Sequence, residues 1–256
     1  MRLLLMLVVL AASAGPSRAQ GFDPFGLATI ESRPGAEVPL ERRFRDAAGA
    51  PTTLAAIGRG RPILLVPVLH DCPNVCGVTL AGLADAVAGQ ALRPGRDFAV
   101  VAFGIDPAET PAAAAADLAR LRARANGRAL GDVAALTGSR ESVRAVTDAI
   151  GFRYAWDGRT GQYAHVAAVA VLTPDGRLSS WLYGLKPEPE ALGRALAAAR
   201  DGRTGNWTDR LLLLCYHYDP VSGRYTARIE MLLRIAGGLT MAAIALLIWR
   251  LSRRVR

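Results

Sequence analysis

The stretch ILLVPVLHDCPNVCGVTL, residues 63–80, joins an apolar run to a loop with two cysteines and then to a helical pattern. The run over 63–69 is bounded by turn residues, which is typical of a buried central strand. Pro67 within it predicts a bulge or a strand end, because proline cannot donate a backbone hydrogen bond. After Pro73 the apolar spacing predicts an amphipathic helix to about residue 88.

The rest of the sequence continues this alternation of strands and helices. Two short strands around a turn at 46–51 come before the quoted stretch. The later predicted elements, in chain order, are a strand at 98–105, helices at 112–124 and 139–150, a strand at 165–172, a TPDG turn, a strand at 177–183 and a helix at 187–200. Strand, helix, strand, helix, hairpin and helix together predict an α/β sandwich of thioredoxin type.

Both ends of the chain carry targeting patterns. Residues 1–19 have an early arginine, a short apolar core and small residues before Gln20, as in a cleaved signal peptide. The run 231–249 would span about 28 Å as a helix, close to the roughly 30 Å of a bilayer core. Four arginines follow from Arg250, which predicts a cytoplasmic tail. The predicted fold class is therefore α/β, a thioredoxin-like sandwich with a C-terminal transmembrane helix.

These patterns divide the chain into six segments. They are a signal peptide at 1–19, a lead-in at 20–36, the thioredoxin-like domain at 37–200, a juxtamembrane linker at 201–228, the transmembrane helix at 229–250 and a basic cytoplasmic tail at 251–256. The expected location is the bacterial inner membrane, crossed once, with the main domain in the periplasm.

The net charge of +9 does not indicate nucleic-acid binding. Six of the arginines lie in the signal peptide and the tail, so the exported part carries only +3. The remaining arginines are scattered and form no basic stripe interleaved with aromatic residues. Nucleic acid is therefore excluded as a partner.

Cys72 and Cys76 are the candidate reactive residues. A helix that begins between them would favour thiolates at its N-terminus, and a four-residue spacing brings the two sulfurs together. A purely structural disulfide is the alternative, but so short a loop gains little entropy from closure.

Two thiolates need a third ligand to complete a metal site, and thiolates with imidazole suit copper, Cu(I) above all. Of the three histidines, His165 precedes the strand expected to be central, whereas His70 is interpreted as capping the cysteine loop and His217 lies near the membrane segment.

Three motifs carry a resemblance to a known family. They are CPNVC at 72–76, IDPAETP at 105–111 and YAHVAAVAVLTPDGRL at 163–178. Over roughly residues 36–200 the chain resembles the Sco/SenC family of membrane-tethered, thioredoxin-like copper proteins. The resemblance implies one copper ion per chain, held by Cys72, Cys76 and His165. It also implies a supporting role for Asp106, for which a plain turn role is the alternative.

The resemblance further implies a partner, the copper-binding subunit of cytochrome c oxidase, whose CuA centre the family helps to assemble. Family members act by delivering copper or by reducing the cysteines that will hold it; the copper donor is not identified. This chain departs from the family in its VPVLHD approach to the first cysteine, in Gly77 after the second, and in a tether predicted at the C-terminus.

Two functions therefore stay open. The first is a metallochaperone, which exchanges copper ligands with its partner and is not an enzyme. The second is a thiol-disulfide oxidoreductase in which Cys72 attacks a partner disulfide and Cys76 resolves the mixed disulfide. The absence of proline from residues 161–166 favours copper. Cys215 and His217 are candidates for a second metal site, with an apolar packing segment as the alternative.

Overall fold

A central five-stranded sheet organises the domain. The computed structural model describes residues 27–71, 76–124 and 133–205, with short pieces at 218–219, 224–225, 235–241, 244 and 250. The strands are β1 Phe44–Arg45, β2 Pro51–Thr52, β3 Ile63–Val68, β4 Ala99–Gly104, β5 Val133–Leu136, β6 Ala155–Asp157, β7 Gln162–Ala164, β8 Ala168–Leu172, β9 Leu178–Tyr183, β10 Tyr218–Asp219 and β11 Arg224–Tyr225. The helices are α1 Leu54–Gly58, α2 Cys76–Ala88, α3 Pro111–Arg124, α4 Arg140–Ala149 and α5 Pro189–Arg200.

The sheet has the order β5-β4-β3-β8-β9. β3, β4 and β5 run parallel, whereas β8 lies antiparallel to both β3 and β9. All residues of β3, β4 and β8 are buried, as the continuous apolar runs predict. The antiparallel pairing of β3 with β8 ends at Leu65, two residues before Pro67, and β3 itself ends at Val68. The strand end predicted from Pro67 is thus confirmed.

Residues that favour a helix start lie at the first positions of several helices. The Ser139 hydroxyl accepts a hydrogen bond from the Ser142 backbone N–H at 3.2 Å and caps α4, as predicted. Pro111 and Pro189 are the first residues of α3 and α5, where a missing N–H costs nothing. α2 contacts both α3 and α5, so the helix that follows the cysteine loop is held from two sides.

Two parts of the sheet region were not predicted. β5 has the sequence VAAL, which has little strand propensity of its own and becomes a strand by pairing with β4. β6 and β7 form a hairpin of two three-residue strands, too short for an alternating pattern to be recognised. The predicted strand at 165–172 begins three residues later than expected, so His165 lies in the segment that leads into β8.

The prediction of a C-terminal transmembrane helix was wrong. A span needs about 20 consecutive apolar helical residues, and the residues described as helical in this region are 235–241, 244 and 250. Across the described parts of the chain, no helix is long and apolar enough to cross a bilayer. The predicted signal peptide at 1–19 lies outside the described residues.

Candidate metal centre

The cysteine loop and the lead-in to β8 lie at the same end of the sheet. β3 runs toward the cysteines and ends at Val68, while the antiparallel β8 starts at Ala168 beside that end. The pair of Leu65 with Ala170 fixes this register. His165 is three residues before β8, so the strand pairing brings it to the end of the sheet from which the chain leaves for Cys72.

His165 is half-buried, and its ring contacts Val166 and Phe152. Its Nδ1 atom lies 3.2 Å from the backbone oxygen of Val166, and its ring centroid lies 6.2 Å from that of Phe152. A carbonyl oxygen only accepts, so Nδ1 carries the proton in this bond. In the neutral ring the lone pair is then on Nε2, the arrangement usual for a metal-binding histidine whose other nitrogen donates to a carbonyl.

Cys76 is the first residue of α2. The unpaired N–H groups and the positive end of the helix dipole at this position favour a thiolate. Cys72 lies outside the described residues, as does the side chain of Cys76. In the described residues no group of three or more His, Cys, Asp and Glu side chains is arranged to hold a metal ion. The Cys72–Cys76–His165 ligand set therefore stays a prediction.

An open cleft of about 420 Å³ adjoins this end of the sheet. It lies between the residue before Cys72, the turn before α3 and the β6–β7 hairpin. Its lining residues are Leu69, Asp71, Asp106, Ala108, Glu109, Thr110, Ala113, Thr160, Gly161, Gln162 and Tyr163. Three carboxylates thus face one cleft beside the cysteine loop.

Glu109 is a partly buried carboxylate of the cleft. Its Oε1 accepts a hydrogen bond from the Asp71 backbone N–H at 2.9 Å, and its Oε2 is buried without a hydrogen-bond partner among the described residues. Burial raises the pKa of Glu109 above its ordinary value, although the Asp71 N–H and the positive charge of His70 oppose the shift.

Asp106 serves the turn before α3. Its Oδ1 accepts a hydrogen bond from the Ala108 backbone N–H at 2.8 Å, an Asx turn of the kind that commonly precedes a helix. This contact agrees with the turn role, and the supporting role toward a metal stays a prediction. Cys215 and His217, the candidates for a second metal site, lie outside the described residues.

His70 is buried rather than a simple loop cap. The ring is 0% exposed, with Nδ1 3.1 Å from Asp117 Oδ2 and Nε2 3.0 Å from the Leu136 backbone oxygen. Burial by itself lowers the pKa of His70. The hydrogen bonds to Asp117 and Leu136, with the negative charges of Glu109 and Asp117, outweigh it, so the pKa lies above its ordinary value.

Asp117 was missed in the sequence. The buried stripe of α3 contains Ala114, Leu118 and Leu121, and Asp117 lies on this stripe, three residues after Ala114 and four before Leu121. A carboxylate at such a position must have a polar partner inside the fold. That pattern is the signal that predicts a buried partner for Asp117, although it does not say which residue the partner is.

The mixed five-stranded sheet, with α2 leaving β3 through a cysteine loop, defines a thioredoxin-like protein. The model of the SCO1/SenC family matches residues 34–199, more than half of the chain, and the chain belongs to that family. The resemblance recognised in the three sequence motifs is confirmed. A comparison with proteins of curated function found no match.

Solved structures share this fold. A provisionally assigned electron-transfer protein from Aquifex aeolicus VF5 is 26% identical, with a TM-score of 0.58 over 66% of this chain and 95% of that one. Arabidopsis thaliana ScoI, crystallised with copper bound, is 16% identical, with a TM-score of 0.51 over 66% of this chain and 98% of that one. A SCO1/SenC family lipoprotein from Bacillus anthracis is 17% identical, with a TM-score of 0.51 over 67% of this chain and 99% of that one.

Proposed function

We propose that this chain is a copper-binding assembly factor for a respiratory oxidase. One copper ion is held by the Cys72 and Cys76 thiolates and the His165 imidazole, and it is passed on for the CuA centre of cytochrome c oxidase. The observation that carries this proposal is the β3–β8 pairing, which brings the His165 segment to the cysteine end of the sheet. Family membership over 34–199 and the copper bound to the Arabidopsis relative support it.

The donor set fits copper by its chemistry. Two thiolates and one imidazole match the preference of Cu(I) for soft ligands and low coordination numbers. His165 presents the Nε2 lone pair when Nδ1 donates to the Val166 oxygen, so the protein sets which nitrogen would bind. Transfer is a ligand exchange, in which cysteine and histidine ligands of the oxidase subunit replace those of this chain one at a time. The copper keeps its charge, and no electron moves.

The same cysteines also support thiol chemistry as a second candidate function. The Cys72 thiolate attacks a disulfide of the oxidase subunit, and the Cys76 thiolate then displaces the partner thiol. The partner disulfide is reduced to two thiols, and Cys72–Cys76 becomes the disulfide. The position of Cys76 at the start of α2 favours this reading as well, because a helix N-terminus stabilises a thiolate. Copper loading and partner reduction are compatible steps of one pathway.

The proposed location is outside the cytoplasm. Residues 1–19 have the pattern of an exported chain, and a copper handover to an oxidase subunit belongs in that compartment. Proteolytic removal of this segment before Gln20 is the expected outcome, which N-terminal sequencing of protein from the native host tests. An intact Met1 in the purified protein would contradict cleavage and favour the alternative, an uncleaved N-terminal anchor.

The decisive experiment is Cu(I) binding to the purified, reduced full-length chain under anaerobic conditions, in competition with a chromophoric Cu(I) chelator. We expect one copper per chain, and a loss of affinity of more than about tenfold for His165→Ala, because even loss of a ligand's partner costs about 10–100-fold. His217→Ala is the matched control and should bind like the unmodified chain. The same result is expected for Cys215→Ser.

Two outcomes would overturn the copper proposal. If His165→Ala binds normally while His217→Ala or Cys215→Ser does not, the site lies in the C-terminal segment. If no variant competes with the chelator and the Cys72–Cys76 disulfide exchanges readily with glutathione, the chain is a thiol oxidoreductase.

A further inference from the structure

The two residues before Cys72 are held by side chains from other elements. The His70 ring contacts the Asp117 carboxylate of α3 at 3.1 Å and the Leu136 carbonyl of β5 at 3.0 Å. Both partners are acceptors, so a cationic ring donates from both nitrogens at once, whereas a neutral ring donates from one. The His70 side chain therefore ties the end of β3 to a helix and to the edge strand of the sheet.

The backbone at this point is held as well. The Arg120 guanidinium donates to the His70 carbonyl oxygen, and the Asp71 N–H donates to Glu109 Oε1 at 2.9 Å. Arg120 also lies 3.6 Å from Asp117, so the two α3 side chains are paired with each other. We call His70, Asp117 and Arg120 the polar clamp. It fixes both the ring and the carbonyl of His70 from one helix.

The clamp has no room to rearrange. Gly104 lies under the His70 ring, and a Cβ at position 104 would be 2.9 Å from His70 Cδ2 and 3.0 Å from Nε2. A different ring orientation would press against β4 or break the hydrogen bond between His70 and the buried Asp117 carboxylate, which is costly. The ring position is therefore determined by packing and by hydrogen bonds together.

Stability by itself does not require a buried ionic pair at this position. Apolar residues of similar volume commonly stabilise a protein as well as a buried ionic pair, because the pair must be desolvated. The polar clamp instead restrains the backbone that leads into the cysteine loop. Cys72 follows two residues after His70, a distance of at most about 7 Å along the chain. The contacts to residues 70 and 71 therefore fix the backbone from which the chain continues to residue 72.

We propose that the polar clamp positions the Cys72 thiol for copper binding and for thiol exchange, with His70 as the central positioning residue. The copper part of this inference rests on the proposed function, whereas the thiol part does not. Neither His70 nor its partners are assigned as ligands.

The test uses the full-length chain and compares Arg120→Ala with Arg122→Ala. Both arginines are exposed and lie on α3, but only Arg120 contacts the His70 carbonyl. The first readout is the alkylation rate of Cys72 relative to Cys76 in the reduced, copper-free protein, followed by mass spectrometry at one pH. The second is Cu(I) affinity with the thiolate-to-copper absorption spectrum.

We expect Arg120→Ala to change the ratio of the Cys72 and Cys76 alkylation rates severalfold. It should also lower the Cu(I) affinity by about tenfold and shift the thiolate-to-copper absorption spectrum. Arg122→Ala should match the unmodified chain, and Arg120→Lys, which keeps a cationic donor, should recover part of the effect. His70→Asn should act in the same direction as Arg120→Ala. If His70→Asn does not fold, the exposed Arg120 still gives the answer.

The clamp proposal is overturned if folded Arg120→Ala shows the rate ratio, affinity and spectrum of Arg122→Ala. A purely structural role would lower the melting temperature and leave these three readouts unchanged in the folded protein. If copper does not bind to any variant, the proposed function fails, and the alkylation ratio in the copper-free protein still decides the positioning role.

Discussion

Gly104 lies so close to His70 that a Cβ at position 104 would come within 2.9 Å of the His70 ring. The same Cβ would be 2.8 Å from the Leu136 carbonyl oxygen, which is the acceptor for His70 Nε2. The absence of a side chain at Gly104, the last residue of β4, therefore makes room for a buried histidine. The His70 ring can occupy its buried position only because residue 104 is a glycine.

Gly104→Ala should destabilise the protein by about 1–3 kcal/mol, because the methyl group overpacks a site with no room to yield. Urea denaturation of the purified chain measures this free energy of unfolding. Gly158→Ala is the matched control, since the nearest atom to a Cβ there, Trp156 Nε1, is 3.9 Å away. Equal stability of the two variants would show that the His70 ring moves freely.

Gly82→Ala should be more harmful than Gly193→Ala, although both positions are helical. A Cβ at 82 would lie 2.1 Å from the backbone oxygen of Leu185, whereas a Cβ at 193 would meet the end of the Gln90 side chain, which donates to the Pro189 backbone oxygen, at 2.7 Å. We expect a loss of about 1–3 kcal/mol for Gly82→Ala and a change within about 1 kcal/mol for Gly193→Ala, because the Gln90 side chain can yield but loses that hydrogen bond when it does. Thermal unfolding of both variants checks the order, and a reversed order would contradict it.

Glu109→Gln should flatten the dependence of stability on pH. A carboxyl with a raised pKa binds its proton more tightly in the folded state, so its stabilising contribution is lost as pH rises through that value. Glutamine does not ionise, yet its oxygen can still accept from the Asp71 N–H. We therefore expect the variant to be more stable than the unmodified chain near pH 7, with the difference disappearing near pH 4.

Urea unfolding at several pH values measures this effect. Glu141→Gln, at an exposed position on α4, is the control and should change stability little at any pH. A stability advantage of the unmodified chain that grows from pH 4 to pH 7 would contradict the expected sign.

Phe152→Leu should weaken copper binding without touching a ligand. The Phe152 ring packs 6.2 Å from the His165 ring and 5.9 Å from the Trp181 ring, centroid to centroid, and so limits the orientation of His165. Leucine fills much of the space but removes the aromatic contacts. Given the proposed copper site, we expect a loss of Cu(I) affinity of about tenfold, as for other residues that orient a ligand.

Phe98→Leu is the matched control for this prediction. Phe98 is also fully buried, but it lies just before β4, at the opposite end of the sheet from His165. It should cost similar stability and leave the copper affinity unchanged. Equal affinity losses in the two variants would assign the effect to general loosening of the core.

The strand before the cysteines and the helix after them could be predicted because their signals are local. A continuous apolar run predicts β3, and the observed strand ends one residue after Pro67. Ser139 and Pro111 likewise lie at helix starts for reasons contained in a few neighbouring residues. β5 could not be predicted in this way, because its alanines become a strand only by pairing with β4.

By itself, the sequence determined the order of the main strands and helices and the cysteine loop between β3 and α2. These features depend on the spacing of apolar residues, on helix-capping residues and on turn residues, all of which are local. The position of His165 near the cysteines was expected from the sequence, but the tertiary structure decided the register, in which Leu65 of β3 pairs with Ala170 of β8. It also decided that His70 is buried against Asp117, 47 residues away. Such contacts depend on which distant surfaces pack together, and no local pattern of one segment specifies its partner.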